Sequence, residues 1–356
     1  MLAPPPGGVQ RVTEDVALAF PDRTVRIVGV SAEAATDPRF RVVRQWRGPI
    51  GKPLTLMRYF AVAMIELRKQ PTMVQAMTWR SALPTVVAGR RRPVVLFCHG
   101  AELIRTKGGP VAGRLRRWML RRATAVVANS EFTAGLVREI GGRNATLTHP
   151  PLRSLPDDIA RSDHAGPVRI LSVGRLVANK GHARLVNAVG ELRKRGFDVS
   201  LTIAGPGPDH ESLIGLIARL ELVDAVHLAG AVTDDELDEL YRTADVFALL
   251  SVPVAGEVEG WGIVFLEAAG YGLPVVAGRS GGAAEAVEDG VTGVVVTSDA
   301  EAVDALAAFV ADPARARAFG ERGRARVTRY LLPAFRDQLA DVYTAAAKAH
   351  KRGVRI

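Results

Sequence analysis

Twice along this chain, short apolar runs of strand length alternate with helix-length stretches, and a Pro-rich polar break separates the two series. In the first series, β-like runs at Val25–Val30, Phe40–Trp46, Met73–Thr78, Val94–Cys98 and Ala125–Ala128 are interleaved with helical stretches such as Leu54–Lys69 and Arg114–Arg122. In the second, strands are expected at Val168–Val173, Val199–Ala204, Val226–Leu228 and Val246–Leu250, with helices at Ala183–Arg195, Glu211–Arg219 and Asp234–Arg242. Strands that alternate with helices pair in parallel through right-handed crossovers. The fold class is therefore α/β, and a chain of 356 residues, too long for one ordinary core, is read as two domains. The break from Thr148-His149-Pro150-Pro151-Leu152 to Gly166-Pro167 marks the linker. No repeat with a period of about 20–50 residues is visible, which excludes a solenoid.

The charge is divided as unevenly as the chain. Residues 1–150 hold 24 Lys/Arg against 9 Asp/Glu, a balance of +15, and the remainder holds 23 against 28, a balance of −5. A basic first half suits an anionic membrane surface, a phosphate-bearing acceptor or nucleic acid. With 48% hydrophobic and 24% charged residues the chain is globular and not disordered. The best membrane-span candidate, Leu54 to Leu67, is too short and carries Arg58 and Glu66. Met1 to Pro6 does not read as a signal peptide, and the single Cys98 can form no intrachain disulfide. The expected setting is the reducing cytoplasm, with peripheral attachment to the inner membrane face through the basic half. Within that half, Arg114, Arg116, Arg117, Arg121 and Arg122 surround Leu115, Trp118 and Met119, which at helical spacing reads as a basic face beside an apolar one.

The most distinctive stretch is Gly256-Glu257-Val258-Glu259-Gly260-Trp261-Gly262-Ile263-Val264-Phe265-Leu266-Glu267-Ala268-Ala269. It reads as a loop turning into a helix, in which Gly260 and Gly262 permit close backbone approach and the first helical N–H groups are free to bind an anion, a phosphate being expected. A helix running from Glu259 to Glu267 sets the two acids roughly 12 Å apart, about the span from a sugar to the ribose of a nucleotide sugar. Then come the turn and short strand of Gly270-Tyr271-Gly272-Leu273-Pro274-Val275-Val276-Ala277-Gly278, and Gly281-Gly282-Ala283-Ala284-Glu285 opening another helix. Two helix starts beside one strand end suit a ligand crevice in an open α/β sheet.

These residues resemble the retaining nucleotide-sugar glycosyltransferases of family 4, which have the two-domain GT-B fold, two Rossmann-like domains facing across a cleft. The Glu-x7-Glu pair matches at Glu259 and Glu267, and the wording of Glu257 to Ala269 is most similar to phosphatidylinositol mannosyltransferase-like members. The resemblance implies an acceptor-binding domain over residues 1–160, a nucleotide-sugar domain over 161–333, and a final helix in 334–356 that returns to the first domain. It assigns Arg175 and Lys180, in Val173-Gly174-Arg175-Leu176-Val177-Ala178-Asn179-Lys180-Gly181, to the donor diphosphate. It sets His99, after the buried run Val94–Cys98, beside the reacting sugar. Glu259 falls to the sugar hydroxyls, Glu267 to the ribose, and the backbone of Gly260, Trp261, Gly262 and Ile263 to the phosphates. The base is read largely through main chain near Val232, and a Gly-Gly turn at Gly7-Gly8 lies by the phosphates. That turn comes so early that either the first strand is lacking or the chain start is not the natural one.

The reaction these assignments imply is transfer of a hexosyl group, mannose-like favoured, from a GDP- or UDP-linked sugar to a hydroxyl of a lipid-linked, glycan or small-molecule acceptor, with retention. No Asp-x-Asp pair stands in a suitable place and Asp234-Asp235-Glu236 reads as helix N-terminal acids, so no metal and no cofactor are expected, the nucleoside diphosphate sugar being a substrate. Two rivals remain. A nucleotide-sugar epimerase of the same architecture differs in its product without acceptor. A noncatalytic polyanion or nucleic-acid binder would weaken steeply with salt and leaves Glu259 and Glu267 without a purpose, so no nucleic-acid partner is expected. A dinucleotide oxidoreductase lacks its Gly-x-Gly-x-x-Gly, Gly205-Pro206-Gly207 being only a turn.

Overall fold

The computed structural model of the chain describes residues 8–21, 27–31, 40–44, 51–69, 71–84, 92–104, 109–157, 159, 166–254 and 256–355. The chain divides into two compact units, one of Met1–His149 with Leu332–Ile356 and one of Pro150–Leu331.

The first unit runs α1 (Gly8–Ala19), β1 (Ile27–Ser31), β2 (Phe40–Arg44), α2 (Gly51–Arg68), β3 (Val74–Ala76), β4 (Val94–Cys98), α3 (Gly109–Arg122), β5 (Ala125–Ala128), α4 (Glu131–Gly141) and β6 (Thr146–Leu147). Strands β1 and β2 pair in parallel, and β3-β4-β5-β6 form a parallel sheet. Side chains alternate across a strand, so the all-apolar run of β4 feeds two cores. Leu96 and Cys98 pack with Met119 and Leu120 of α3 and Val137 of α4. Val95 and Phe97 pack on the other face with Val12 and Ala19 of α1 and with Phe335, Leu339, Val342 and Ala346 of the C-terminal helix, Leu332–Lys351. Those four positions recur every three to four residues, the stripe by which an amphipathic helix covers a sheet. Of the expected Gly7-Gly8 turn, only Gly8 is described, and it opens helix α1. Gly7 and the Met1–Pro6 start lie outside the described residues, as do Val25, Arg26, Gln45 and Trp46 of two expected strands.

The second unit runs β7 (Val168–Val173), a 3₁₀ turn (Ala178–Lys180), α5 (His182–Lys194), β8 (Val199–Ala204), α6 (His210–Arg219), β9 (Val226–Gly230), α7 (Asp234–Thr243), β10 (Val246–Leu249), α8 (Ile263–Gly270), β11 (Val275–Gly278), α9 (Ala283–Ala286), β12 (Gly293–Val296), α10 (Asp299–Ala311) and α11 (Pro313–Val327). Its six parallel strands are ordered β12-β11-β10-β7-β8-β9. Counted within the unit this is the doubly wound order in which the sheet grows outward in both directions from its first strand. Alternation again splits the strands between two cores, with Val246, Ala248 and Leu250 on one face and Phe247 and Leu249 on the other. Helix α7 starts with a capping box in which the Thr233 hydroxyl accepts from the Glu236 amide and the Glu236 carboxylate accepts from the Thr233 amide, so the expected role of that acidic run as helix N-terminal residues is observed. Among the described residues no helix is long and apolar enough to cross a membrane.

Candidate functional site

Where a doubly wound sheet reverses its direction of growth, the loops leaving the carboxyl ends of the two central strands diverge and open a crevice. Here those strands are β7 and β10, and the loops after them carry Arg175, Lys180 and Glu259. The edge is stitched by backbone bonds. The Gly174 amide donates to the Ala204 carbonyl at 2.9 Å, Leu176 to Pro206 at 3.0 Å, and Gly205 to Gly230 at 2.7 Å, which locks the loops after β7, β8 and β9 together. Across the reversal, the Val252 amide donates to the Asn179 carbonyl at 2.9 Å. Gly181 follows with φ of +70°, and a Cβ there would run into the Leu250 carbonyl, so only glycine lets the Lys180 turn approach β10 this closely.

Glu259 is held from three sides. Its amide donates to Ser280 Oγ at 3.3 Å, its carbonyl accepts from the Gly282 amide at 2.9 Å, and its carboxylate forms an ion pair with the Lys180 ammonium. Both side chains are largely buried, 17% and 13% exposed, so the charges see less solvent screening than a surface pair. Arg175 is exposed, and among the described residues its guanidinium has no hydrogen-bond or ion-pair partner. Beneath it lies His182, 3% exposed, whose imidazole bridges the Arg175 carbonyl at 3.3 Å and the Ser172 hydroxyl at 3.4 Å. A carbonyl only accepts, so Nε2 carries the proton and Nδ1 accepts from Ser172. Burial lowers the His182 pKa to about 4, the carbonyl of Arg175 opposing and the nearby Lys180 charge adding to the fall.

The structure corrects the expected helix from Glu259 to Glu267. Gly262 has φ of +76° and α8 begins only at Ile263, because Val254 and Glu257 pair as an isolated antiparallel bridge and hold the preceding residues in a loop. The 1.5 Å rise therefore does not measure the separation of the two acids. The helix start still presents its first N–H groups, without intrahelical acceptors, just after Gly260, Trp261 and Gly262. The Trp261 side chain, 3% exposed, packs in the core 5.7 Å from the Tyr330 ring, so only its backbone is placed for a ligand. Glu267 lies one turn into α8, its Oε2 accepting from the Tyr241 hydroxyl at 3.0 Å. Val232 follows β9 just before the capping box of α7, half-buried. His182, Ser280 and Tyr241 escaped the sequence reading, since a histidine after Lys-Gly and a tyrosine in an amphipathic helix both look like ordinary packing residues.

In the first unit, His99 follows β4, its amide donating to Glu102 Oε1 at 2.7 Å. Its ring is buried, which lowers its pKa, and Nε2 has no hydrogen-bond partner among the described residues. The arginine helix differs from expectation. Its buried stripe is Arg116, Met119 and Leu120, while Trp118 is 38% exposed with the Arg122 guanidinium 5.4 Å from its ring. Arg116 therefore leaves the expected basic face. Its guanidinium donates to the carbonyls of Glu102 and Ile104 at 3.1 and 3.2 Å, which satisfies the charge inside. Arg117 and Arg121 donate from Nε to the carbonyls of Ile140 and Gly141, and both remain exposed with Arg114, while Arg122 is half-exposed. Among the described residues no three His, Cys, Asp or Glu gather as a metal site.

Residues 6–150 match the family model described as Glycosyltransferase Family 4, and residues 157–326 the one described as Glycosyl transferases group 1. The chain is 39% identical over 253 residues to a GDP-mannose-dependent alpha-(1-6)-phosphatidylinositol monomannoside mannosyltransferase of Mycolicibacterium smegmatis, an alignment covering 67% of this chain. It spans 65% of that relative's own length. It is 31% identical over 304 residues to a glycogen synthase of Mycobacterium tuberculosis, covering 80% of this chain and 70% of the relative. Among solved structures, Anabaena HepE in complex with UDP and glucose superposes with a TM-score of 0.77 at 22% identity, covering 96% of both chains, a likeness of fold.

Proposed function

Since the chain belongs to glycosyltransferase family 4 and has its GT-B fold, we propose that it transfers a hexosyl group from a nucleoside diphosphate sugar to a hydroxyl acceptor, with retention and without a metal. A GDP-linked mannose-like donor is favoured over a UDP-linked one, on the strength of the mannosyltransferase relative; the acceptor is lipid-linked, a glycan or a small molecule. The observation that carries this reading is the Lys180–Glu259 ion pair at the reversal of the sheet, with the unpartnered Arg175 guanidinium on the same loop. A departing diphosphate gathers negative charge as its bond to the sugar breaks. Arg175 offers a planar fork of donors, Lys180 a compact charge with three N–H groups, and the start of α8 a row of amides. Groups fixed in advance where charge develops lower the barrier without reorganising at the moment of reaction. Glu259 then accepts from sugar hydroxyls, Glu267 from the ribose, Val232 lies by the base, and the His99 Nε2 hydrogen-bonds the transferred sugar. Gly8, at the start of α1, adds a backbone amide toward the phosphates. No side chain among these stands as a covalent nucleophile, which suits attack by the acceptor on the face the diphosphate leaves.

Thermal unfolding of the pure protein with GDP, UDP and their sugars is the direct test. At a nucleotide concentration about 100-fold above its Kd, binding adds about 2.7 kcal/mol and raises the Tm by several degrees. The shift is expected with GDP above UDP and unchanged by EDTA. If neither nucleotide moves the Tm, the assignment is wrong, and a shift abolished by EDTA removes the metal-free mechanism.

The lipid-linked acceptor and a peripheral place on an anionic membrane are favoured by one feature of α3. Val111, 75% exposed, and Trp118 lie two turns apart on one face, flanked by Arg114, Arg117, Arg121 and Arg122. Phosphatidylglycerol vesicles are expected to sediment the protein at low salt and to release it as salt rises, whereas uncharged vesicles leave it in solution. Equal sedimentation with both would remove the electrostatic reading.

A further inference from the structure

A carboxylate that must accept two hydroxyl hydrogens from one sugar needs its plane fixed before the sugar arrives, because each free torsion costs affinity when it is frozen on binding. Glu267 is fixed in this way. Tyr241, on α7 and 2% exposed, donates its hydroxyl hydrogen to Glu267 Oε2 at 3.0 Å. The Tyr241 ring is itself immobilised, stacked on Tyr271 at 5.0 Å with planes 13° apart and set against Phe247 at 6.0 Å. Tyr271 is anchored in turn by its hydroxyl, which donates to Asp238, and Asp238 is fixed by Arg242, whose Nε donates to it at 2.6 Å. The Arg242 guanidinium lies 5.8 Å from the centre of the Tyr271 ring. The chain of contacts runs from the solvent-exposed side of α7 to a single carboxylate oxygen on α8.

We propose that Tyr241 is a positioning residue that orients Glu267 toward the vicinal 2′- and 3′-hydroxyls of the donor nucleoside, and that it thereby sets the preference of the site for ribose over deoxyribose. The proposal rests on the assignment of Glu267 to the ribose. The chemistry is specific to a diol. An ionised carboxylate only accepts, and a vicinal diol supplies two donors on one edge. Hydrogen bonds to a charged group are the strong ones, and a half-buried carboxylate such as that of Glu267, facing a deoxy sugar, loses both sugar donors at once while keeping Tyr241. The Tyr241 hydroxyl fixes which edge of the carboxylate meets the sugar, so its effect falls on the hydroxyls of the ribose and not on the base or the phosphates.

The test is calorimetric titration of the full chain with GDP, or with UDP if that is the nucleotide that binds, and with its 2′,3′-dideoxy counterpart. Wild type and Tyr241→Phe are compared, the substitution keeping the ring and its stack. Wild type is expected to prefer the ribonucleotide by about 10- to 100-fold. In Tyr241→Phe the ribonucleotide weakens about tenfold while the dideoxynucleotide binds as before, so the preference falls by the same factor. If Tyr241→Phe weakens both nucleotides equally, the residue serves packing alone and the proposal is overturned. If the variant keeps the full preference, it is overturned as well. Wild type that binds both nucleotides equally would instead overturn the assignment of Glu267, and no binding of any nucleotide would overturn the proposed function, so the three failures are distinguishable. A melting curve of Tyr241→Phe matching wild type shows that the readings refer to folded protein.

Discussion

Lys180→Ala is expected to lower the rate of sugar transfer by about 100- to 1,000-fold at saturating donor, the loss that follows removal of one preorganised group from a developing negative charge. Two effects act together. The substitution removes a cation from the loop assigned in the proposed function to the diphosphate, and it leaves the Glu259 carboxylate, 13% exposed, without its partner. An unpaired carboxylate in that position both costs stability and repels the donor's phosphates. Glu259→Gln removes the repulsion but also replaces the charged acceptor for the sugar hydroxyls with a neutral amide whose single oxygen accepts more weakly, so it too is expected to lose most of the activity. Because the two side chains share one ion pair, their effects are not independent, and the double variant is expected to fall no further than the worse single one. Initial rates for the three variants check this. Full activity in Lys180→Ala would sink the assignment of the site.

Folding stability is expected to fall by about 3 kcal/mol as the pH drops from 6.5 to 4, through His182 alone. In the unfolded chain an ordinary histidine takes up its proton near pH 6.5, while in the folded protein burial delays protonation to about pH 4. Between those values the unfolded chain binds a proton that the folded one refuses. The stability conferred by neutral His182 is thus complete above pH 6.5, is lost as the pH falls toward 4, and falls no further below that. The local consequence is at the site, since the imidazole ties the Arg175 carbonyl to Ser172. Denaturant titrations at intervals between pH 4 and 7 on wild type and His182→Gln isolate the contribution, the difference between the two stabilities shrinking by about 3 kcal/mol toward acid pH. A difference that does not change with pH would show that His182 titrates alike in both states.

Several strands were legible to the residue. The observed β4, β5, β7 and β8 have the bounds read from the apolar runs Val94–Cys98, Ala125–Ala128, Val168–Val173 and Val199–Ala204. A parallel strand covered on both faces is apolar along its whole length, so its ends are marked wherever polar residues resume. Helix ends were read less well. Helix α3 begins at Gly109, five residues before the expected Arg114, because Pro110 fits the first turn of a helix, where its missing N–H is not needed. The rotation of α3 was also misread. A helix with five arginines offers more than one face that could be apolar, and carbonyls supplied by a separate segment, those of Glu102 and Ile104, allow Arg116 inside.

The residue types and spacing determined the α/β class and the alternation that makes parallel sheets, because those depend on local periodicity, and the resemblance of short motifs singled out Arg175, Lys180, Glu259 and Glu267 as the charged residues of the proposed donor site. Only the tertiary structure decided that Lys180 pairs with Glu259, that His182 braces Arg175, and that Tyr241 steadies Glu267. Two of these contacts join residues 79 and 26 positions apart, and their geometry is set by the order in which the six strands lie side by side. The third joins residues only seven apart, but its ring is neutral because the sheet and α5 bury it. Strand order and burial are properties of the packed sheet, and no stretch of the chain carries them by itself.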